Sequence, residues 1–462
     1  MMLCFLVAVI CALDRVAMSV AIVPMSGEFG YSDTTKGLIA SAFSWGYMAF
    51  MIPAGVLGTF VNPKVVMGLG VLLWSIAQMA SPHAAVLGLP TLLACRFAMG
   101  MSEAVTIPTI QEIVSQWVPQ DQRTRWLALI ISGLQAGTVL AYVASPTIIT
   151  RFTWHGVFLI YGAMGLLWLM LWVPLAKDTP LRQLSTSKAA AAIAMAEVAA
   201  VAPATGDEQG LNQLAVGVAG AIDSLKAVPW HDFCTDKNIW AIAGAHMAHN
   251  WGLYVMLAWL PTYFNQEFGL TLSESSSASV LPWVVGAFVG NGAGWLADYL
   301  INSNTMTATS VRRLFQTVAL VGPAVCMYLL SGLERASTGG QFGTQAALQA
   351  SESAQHLFVA AVAFGSCSSV GFASASMLFT SFCQTNVMTC SSQDLKSKYT
   401  SIIYGLTSAV SVVTGSVGTY LTGVLLDETH SWASAFKVTA VVYLIGAAWY
   451  GSTYKAQARL ED

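Results

Sequence analysis

The chain has 462 residues, 55% hydrophobic and only 9% charged, with a formal net charge of −3 and a mean hydropathy of +0.63. Soluble domains carry about 25% charged residues, so this composition excludes an ordinary soluble enzyme and indicates a polytopic helical membrane protein. No basic patch interleaved with aromatics points to nucleic acid. The eight cysteines form no CxxC pair, and six of them sit in apolar runs. They read as small buried hydrophobes rather than disulfides or metal ligands.

The first predicted span covers residues 2–25. It has no basic n-region and no small-residue cleavage site, which argues for a retained helix rather than a signal peptide. It contains Asp14 and Arg15, about 100° apart around a helix, so one can face the bundle interior and the other a neighbouring helix. Further spans are predicted at 36–60, 65–80, 86–114, 126–149 and 154–175, each long enough for a hydrocarbon core of about 30 Å. The texture then changes to an Ala-, Ser-, Asp- and Lys-rich segment, read as a cytosolic linker. Six more spans follow at 238–264, 276–301, 313–333, 356–383, 399–426 and 432–454, with a Gly/Ser/Gln-rich outer loop over 335–355. The expected fold is therefore all-α, with twelve transmembrane helices in two six-helix bundles: 1–176, a linker at 177–237, and 238–462.

Charge placement fixes the orientation. With the N-terminus inside, 14 of the 20 basic residues fall in inner loops and tails, against Lys36, Arg151 and Arg335 outside. The positive-inside rule supports that arrangement and the even number of spans.

The most informative stretch is 95–119, CRFAMGMSEAVTIPTIQEIVSQWVP. A charge at a helix centre in hydrocarbon costs roughly 2.5–3.5 kcal/mol even on insertion scales, so Arg96 and Glu103 must face protein, water or substrate. They are seven residues apart, on nearly one face and about 10 Å from each other. Gly100, Ser102 and Ala104 allow close approach of a neighbouring helix. Elsewhere, His246 and His249 share a face of the seventh span with Asn250 and Tyr254. Two histidines without an acidic third ligand make a poor metal site, so these groups, like Tyr47 on the second span, are candidates for hydrogen-bonding substrate or for packing between helices.

Six plus six helices around a linker is the layout of major facilitator transporters. Four runs carry a closer resemblance, to the anion:cation symporters: 13–25 (LDRVAMSVAIVPM), 44–53 (SWGYMAFMIP), 95–119 and 246–264 (HMAHNWGLYVMLAWLPTYF). That group includes vesicular glutamate transporters, sialin and the plant plastid phosphate transporters. The plastid branch matches best, through LDRVAMSVAI, HNWGLYV and the tail GVLLDETHSW at 423–432. The resemblance implies a substrate-facing role for Arg15 and Arg96 and proton coupling at Glu103. Guanidinium chemistry agrees, since it is permanently charged and forks onto carboxylate or phosphate; the competing reading is an ion pair that ties helices together. An anion drawing an arginine away would free Glu103 to hold a proton.

The run from Gly294 to Asp298, followed by Arg312 and Arg313, matches the superfamily's cytosolic gate, in which an acid at a helix end pairs with facing bases. The first-half counterpart departs: Thr59 stands where the family has Asp. Ala40 replaces the histidine of vesicular glutamate transporters, and residues 384–398 lack the usual Asn-His-x-Asp run. The reading is a transporter of a small anion, inorganic phosphate first and ascorbate or another carboxylate as the alternative. Na⁺ or H⁺ would drive it, with no other cofactor and no metal, and it would act as a monomer in a plastid envelope or thylakoid bilayer. A non-transporting sensor on the same fold is the further alternative. No filter-like repeat suggests a channel, and no nucleophile–base pair suggests an enzyme.

Overall fold

The computed structural model describes residues 1–60, 62–119, 123–177, 237–337, 344–366 and 394–453. The described secondary structure is helical throughout: α1 (Met2–Phe29), α2 (Asp33–Phe60), α3 (Pro63–Leu87), α4 (Leu89–Glu103), α5 (Thr106–Trp117), α6 (Arg123–Leu175), α7 (Lys237–Phe268), α8 (Leu272–Asn302), α9 (Ala308–Ser337), α10 (Thr344–Ser366), α11 (Asp394–Thr429) and α12 (Trp432–Thr453). The expected linker lies almost wholly outside the described residues, as does most of 384–398.

Local chemistry sets the breaks. α1 stops at Gly30, in the left-handed region at φ 67°, where its N–H returns to the Ser26 carbonyl. Asn62 caps α3 by accepting from the Lys64 N–H at 2.9 Å, with Pro63 opening the helix. The predicted loop at 81–85 is absent. α3 runs through Pro82, which forfeits one backbone bond, a loss that transmembrane helices tolerate. The chain turns instead at Gly88, whose φ of 124° suits only glycine. α4 and α5 form one predicted span interrupted after Glu103, because Pro108 has no N–H to return to Ala104. α6 holds two predicted spans, divided where Phe152 and Thr153 leave helical geometry. The predicted 335–355 loop is largely helical: α9 reaches Ser337 and α10 begins at Thr344. Ala and Gln in that stretch are good helix formers, and the Gln355 amide donates to the Ala278 carbonyl, tying α10 to α8.

Two main cores result. One joins α7, α9, α10 and α12 around Trp259, Tyr263, Phe264, Phe358 and Phe436. The other joins α1 to α6 around Met67, Trp74, Met99 and Trp168. Between them, α2 packs on α11, α1 on α7 and α6 on α8. The Tyr142 hydroxyl donates to the Leu257 carbonyl across this divide at 3.1 Å.

Candidate functional site

A partly open cavity of about 50 Å³ lies between the two halves. Arg15 and Ser19 enter it from α1, Phe43 and Tyr47 from α2, Arg96 from α4, Tyr254 and Thr262 from α7, and Thr419 from α11. α2 and α4 cross at this level with almost no separation. A Cβ added at Gly100 would stand 1.9 Å from the Phe43 carbonyl oxygen, and one at Gly46 would stand 2.0 Å from that of Phe97. This contact seats the Phe43 ring 5.2 Å from both guanidinium carbons, Arg15 and Arg96. Tyr47, one turn along, lies 5.4 Å from Arg15. Cation–π attraction of this desolvated kind is worth about 2 kcal/mol and offsets part of the repulsion between the two cations.

The arginines differ in their partners. Arg15 Nη2 donates to Glu103 Oε1 at 2.5 Å, and the Cys11 thiol donates to the same oxygen at 2.9 Å. Glu103 is fully buried and its second oxygen accepts no bond among the described residues. Arg96 is 2% exposed and makes no ion pair among the described residues; its Nη1 reaches only the Met99 sulfur, at 3.4 Å. The glutamate therefore belongs with the arginine of another helix, not with the one two turns away on its own. Asp14 is paired to neither arginine. It is fully buried about a quarter-turn round α1 from Arg15, facing Trp74 and Gln78 of α3 while still within electrostatic reach of Glu103 and Arg96.

Of the other sequence candidates, Tyr47 and Tyr254 line the cavity, whereas His249 and Asn250 are not in its wall. Asn250 is buried and donates to the Ser411 hydroxyl at 2.8 Å, linking α7 to α11. The side chains of Asp298 and Arg312 lie outside the described residues, so their pairing is not visible; Arg313 is partly buried on α9. Of the cavity residues that were not singled out from the sequence, two bear directly on its charge. Phe43 precedes Tyr47 by four residues, and that helical spacing is the signal that could have found it. Lys36 was placed in an outer loop, yet it is 8% exposed in the first turns of α2 and lines the cavity.

A sequence model of the Major Facilitator Superfamily matches residues 4–419. The chain belongs to the major facilitator superfamily. It is 34% identical over 445 residues to the chloroplastic sodium-dependent phosphate transport protein 1 of Arabidopsis thaliana, covering 96% of this chain and 76% of that protein. It is equally similar to the chloroplastic ascorbate transporter of the same plant, over 96% and 72%. The chain spans 66–76% of the length of such plastid relatives. Among solved structures, a bacterial homologue of the human lysosomal transporter Spinster, inward-facing and occupied, matches with a TM-score of 0.67 over 99% of this chain and 98% of that one, at 16% identity. That likeness concerns the fold. In this superfamily α4 and α5 together make the fourth crossing and α6 the fifth and sixth, giving twelve crossings in two six-helix bundles. Membership places the chain among integral membrane transporters rather than enzymes.

Proposed function

We propose that this major facilitator protein carries a small anion by alternating access, with inorganic phosphate as the first substrate and ascorbate or another carboxylate as the second. The observation that carries the reading is Arg96: a buried, permanent cation on a cavity wall, without an ion-pair partner among the described residues, beside a second guanidinium. A buried cation without an ion pair costs several kcal/mol; Glu103 and Asp14 act on it only at a distance, and a transported anion supplies the direct contact. Two guanidiniums accommodate an oxyanion through forked bonds. The plastid relatives, one a phosphate and one an ascorbate transporter by name, support the anion class and a plastid membrane without separating the substrates.

In this reading Glu103 is the coupling group. When the anion engages Arg15, the carboxylate loses its cation and takes up a proton; Na⁺ is the alternative driving ion. Asp298 with Arg312 or Arg313 closes the inner side, Tyr47 and Tyr254 steady the anion, and the monomer is the working unit. The test is uptake of labelled phosphate and ascorbate into proteoliposomes under separate pH and Na⁺ gradients. Accumulation of either anion above equilibrium supports transport. Uptake of neither under either gradient overturns it and leaves the sensor reading.

A further inference from the structure

On the side read as outer from the placement of basic residues, α2 and α11 meet in a seam. A Cβ added at Gly423 would stand 2.3 Å from the Asp33 carbonyl oxygen, and one at Gly37 would stand 3.0 Å from that of Thr419, so the two backbones touch. Asp427 at the end of α11 caps α2 from the other bundle. Its Oδ1 accepts from the Asp33 N–H at 2.9 Å and its Oδ2 from the Thr34 N–H at 2.8 Å. These are N–H groups that the first turn of a helix leaves without partners, at the positive end of its dipole. The Asp33 carboxylate sits on the same turn. It accepts from Lys36 Nζ at 2.7 Å and from the Gln266 amide of α7 at 3.0 Å.

Two carboxylates from opposite bundles thus share one turn of α2, and Lys36 is the cation that compensates the second of them. Lys36 also lines the cavity that holds Arg15 and Arg96. An ammonium has three donors, and among the described residues only Asp33 takes one. The Lys36–Asp33 pair is a short i,i+3 contact at 2.7 Å on a largely buried lysine, and an anion in the cavity competes for Lys36 through the two ammonium donors that Asp33 leaves unused.

Building on the anion-transport reading, we propose that Lys36 is a third anion contact and the trigger of the outer seam. An anion that draws its ammonium inward leaves the Asp33 carboxylate without its cation on the turn whose amides Asp427 caps, and the added negative charge there loosens the cap. The cavity therefore reports its occupancy to the seam through a single side chain, with no long-range relay.

Hydrogen exchange reads this directly, because the Asp33 and Thr34 amides are themselves the seam. The full-length wild-type chain, in nanodiscs, would be followed by mass spectrometry with and without phosphate or ascorbate, and anion affinity would be measured on the same samples by calorimetry. In the wild type, anion should speed exchange in the peptide around residues 32–36. Asp427→Ala should speed it severalfold without anion. Lys36→Gln should abolish the anion response and weaken anion binding about tenfold, the scale of one charge-assisted hydrogen bond, and Lys36→Arg should restore both. Wild type that binds anion, with Lys36→Gln giving unchanged affinity and an unchanged exchange response, overturns the proposal and leaves the transport reading standing. Anion that slows exchange at the seam also overturns it. Wild type that binds neither phosphate nor ascorbate removes both readings.

Discussion

The two bundles contribute unequally to the cavity. Its charged wall residues, Arg15, Lys36 and Arg96, come from α1, α2 and α4 of the first bundle, and Glu103 stands directly behind. The second bundle offers Tyr254, Thr262, Trp259, Thr419 and aliphatic neighbours, with no ionisable group other than a tyrosine hydroxyl among the described residues. A charged wall and a neutral wall divide the labour of a rocking carrier. On the proposed reading the anion stays with the bundle that compensates its charge. The facing bundle contributes neutral hydroxyls and ring surface, whose contacts are weak enough, about 0.5–1.5 kcal/mol each, to be exchanged as the bundles move.

That asymmetry breaks most visibly at Arg96. Arg96→Ala should abolish phosphate binding by purified, folded protein, and Arg96→Lys should lose most transport although the charge is kept, because an ammonium cannot fork; calorimetry and uptake check the two. Binding at wild-type affinity by Arg96→Ala would move the anion site towards His249, Asn250 and Tyr254. Next in size is Glu103→Gln. Anion-for-anion exchange should survive while uptake driven by a pH gradient fails, as read in the same proteoliposomes. Unchanged pH-driven accumulation would remove Glu103 as the coupling group and raise Na⁺ in its place.

The charged wall also depends on the α2–α4 contact. Gly100→Val should cost about 1–3 kcal/mol through overpacking against the Phe43 backbone and lower the thermal midpoint in detergent. Gly451→Ala in the second bundle, where a Cβ meets nothing within 4 Å, should leave it unchanged. The smallest effect is expected on the neutral wall. Thr262→Val should raise the KM for phosphate by no more than about tenfold and leave coupling intact, measured as the pH dependence of uptake. A loss there as large as that of Arg96→Ala would refute the division between the walls.

Much of this arrangement was legible in the sequence. The spans follow from hydropathy and length. Arg15, Arg96 and Glu103 stand out because charge in hydrocarbon is costly, and Gly100 signals a close helix contact that the structure places against Phe43. Pairing was harder. Spacing along α4 sets Glu103 near Arg96, whereas the partner reaches it from α1, and helical periodicity says nothing about which neighbouring helix lies opposite. Lys36 was read as a loop residue because a hydropathy boundary is uncertain by about one turn, which is enough to take it from the surface to the cavity. Asp427 is more than 390 residues from the amides it caps, so no local pattern could reveal it. The breaks at Gly88 and after Glu103 escaped because apolar composition runs straight through them.

The Arg15–Glu103 contact has a consequence for the half of the cycle in which nothing is carried. A symporter must return empty, and each uncompensated charge moved through the membrane potential costs or gains about 2.3 kcal/mol per 100 mV. By pairing Arg15 internally when the site is vacant, Glu103 acts as a resident substitute for cargo. On the proposed coupling reading, the unloaded protein thereby moves one charge fewer, which is what a symporter needs and an obligate exchanger does not.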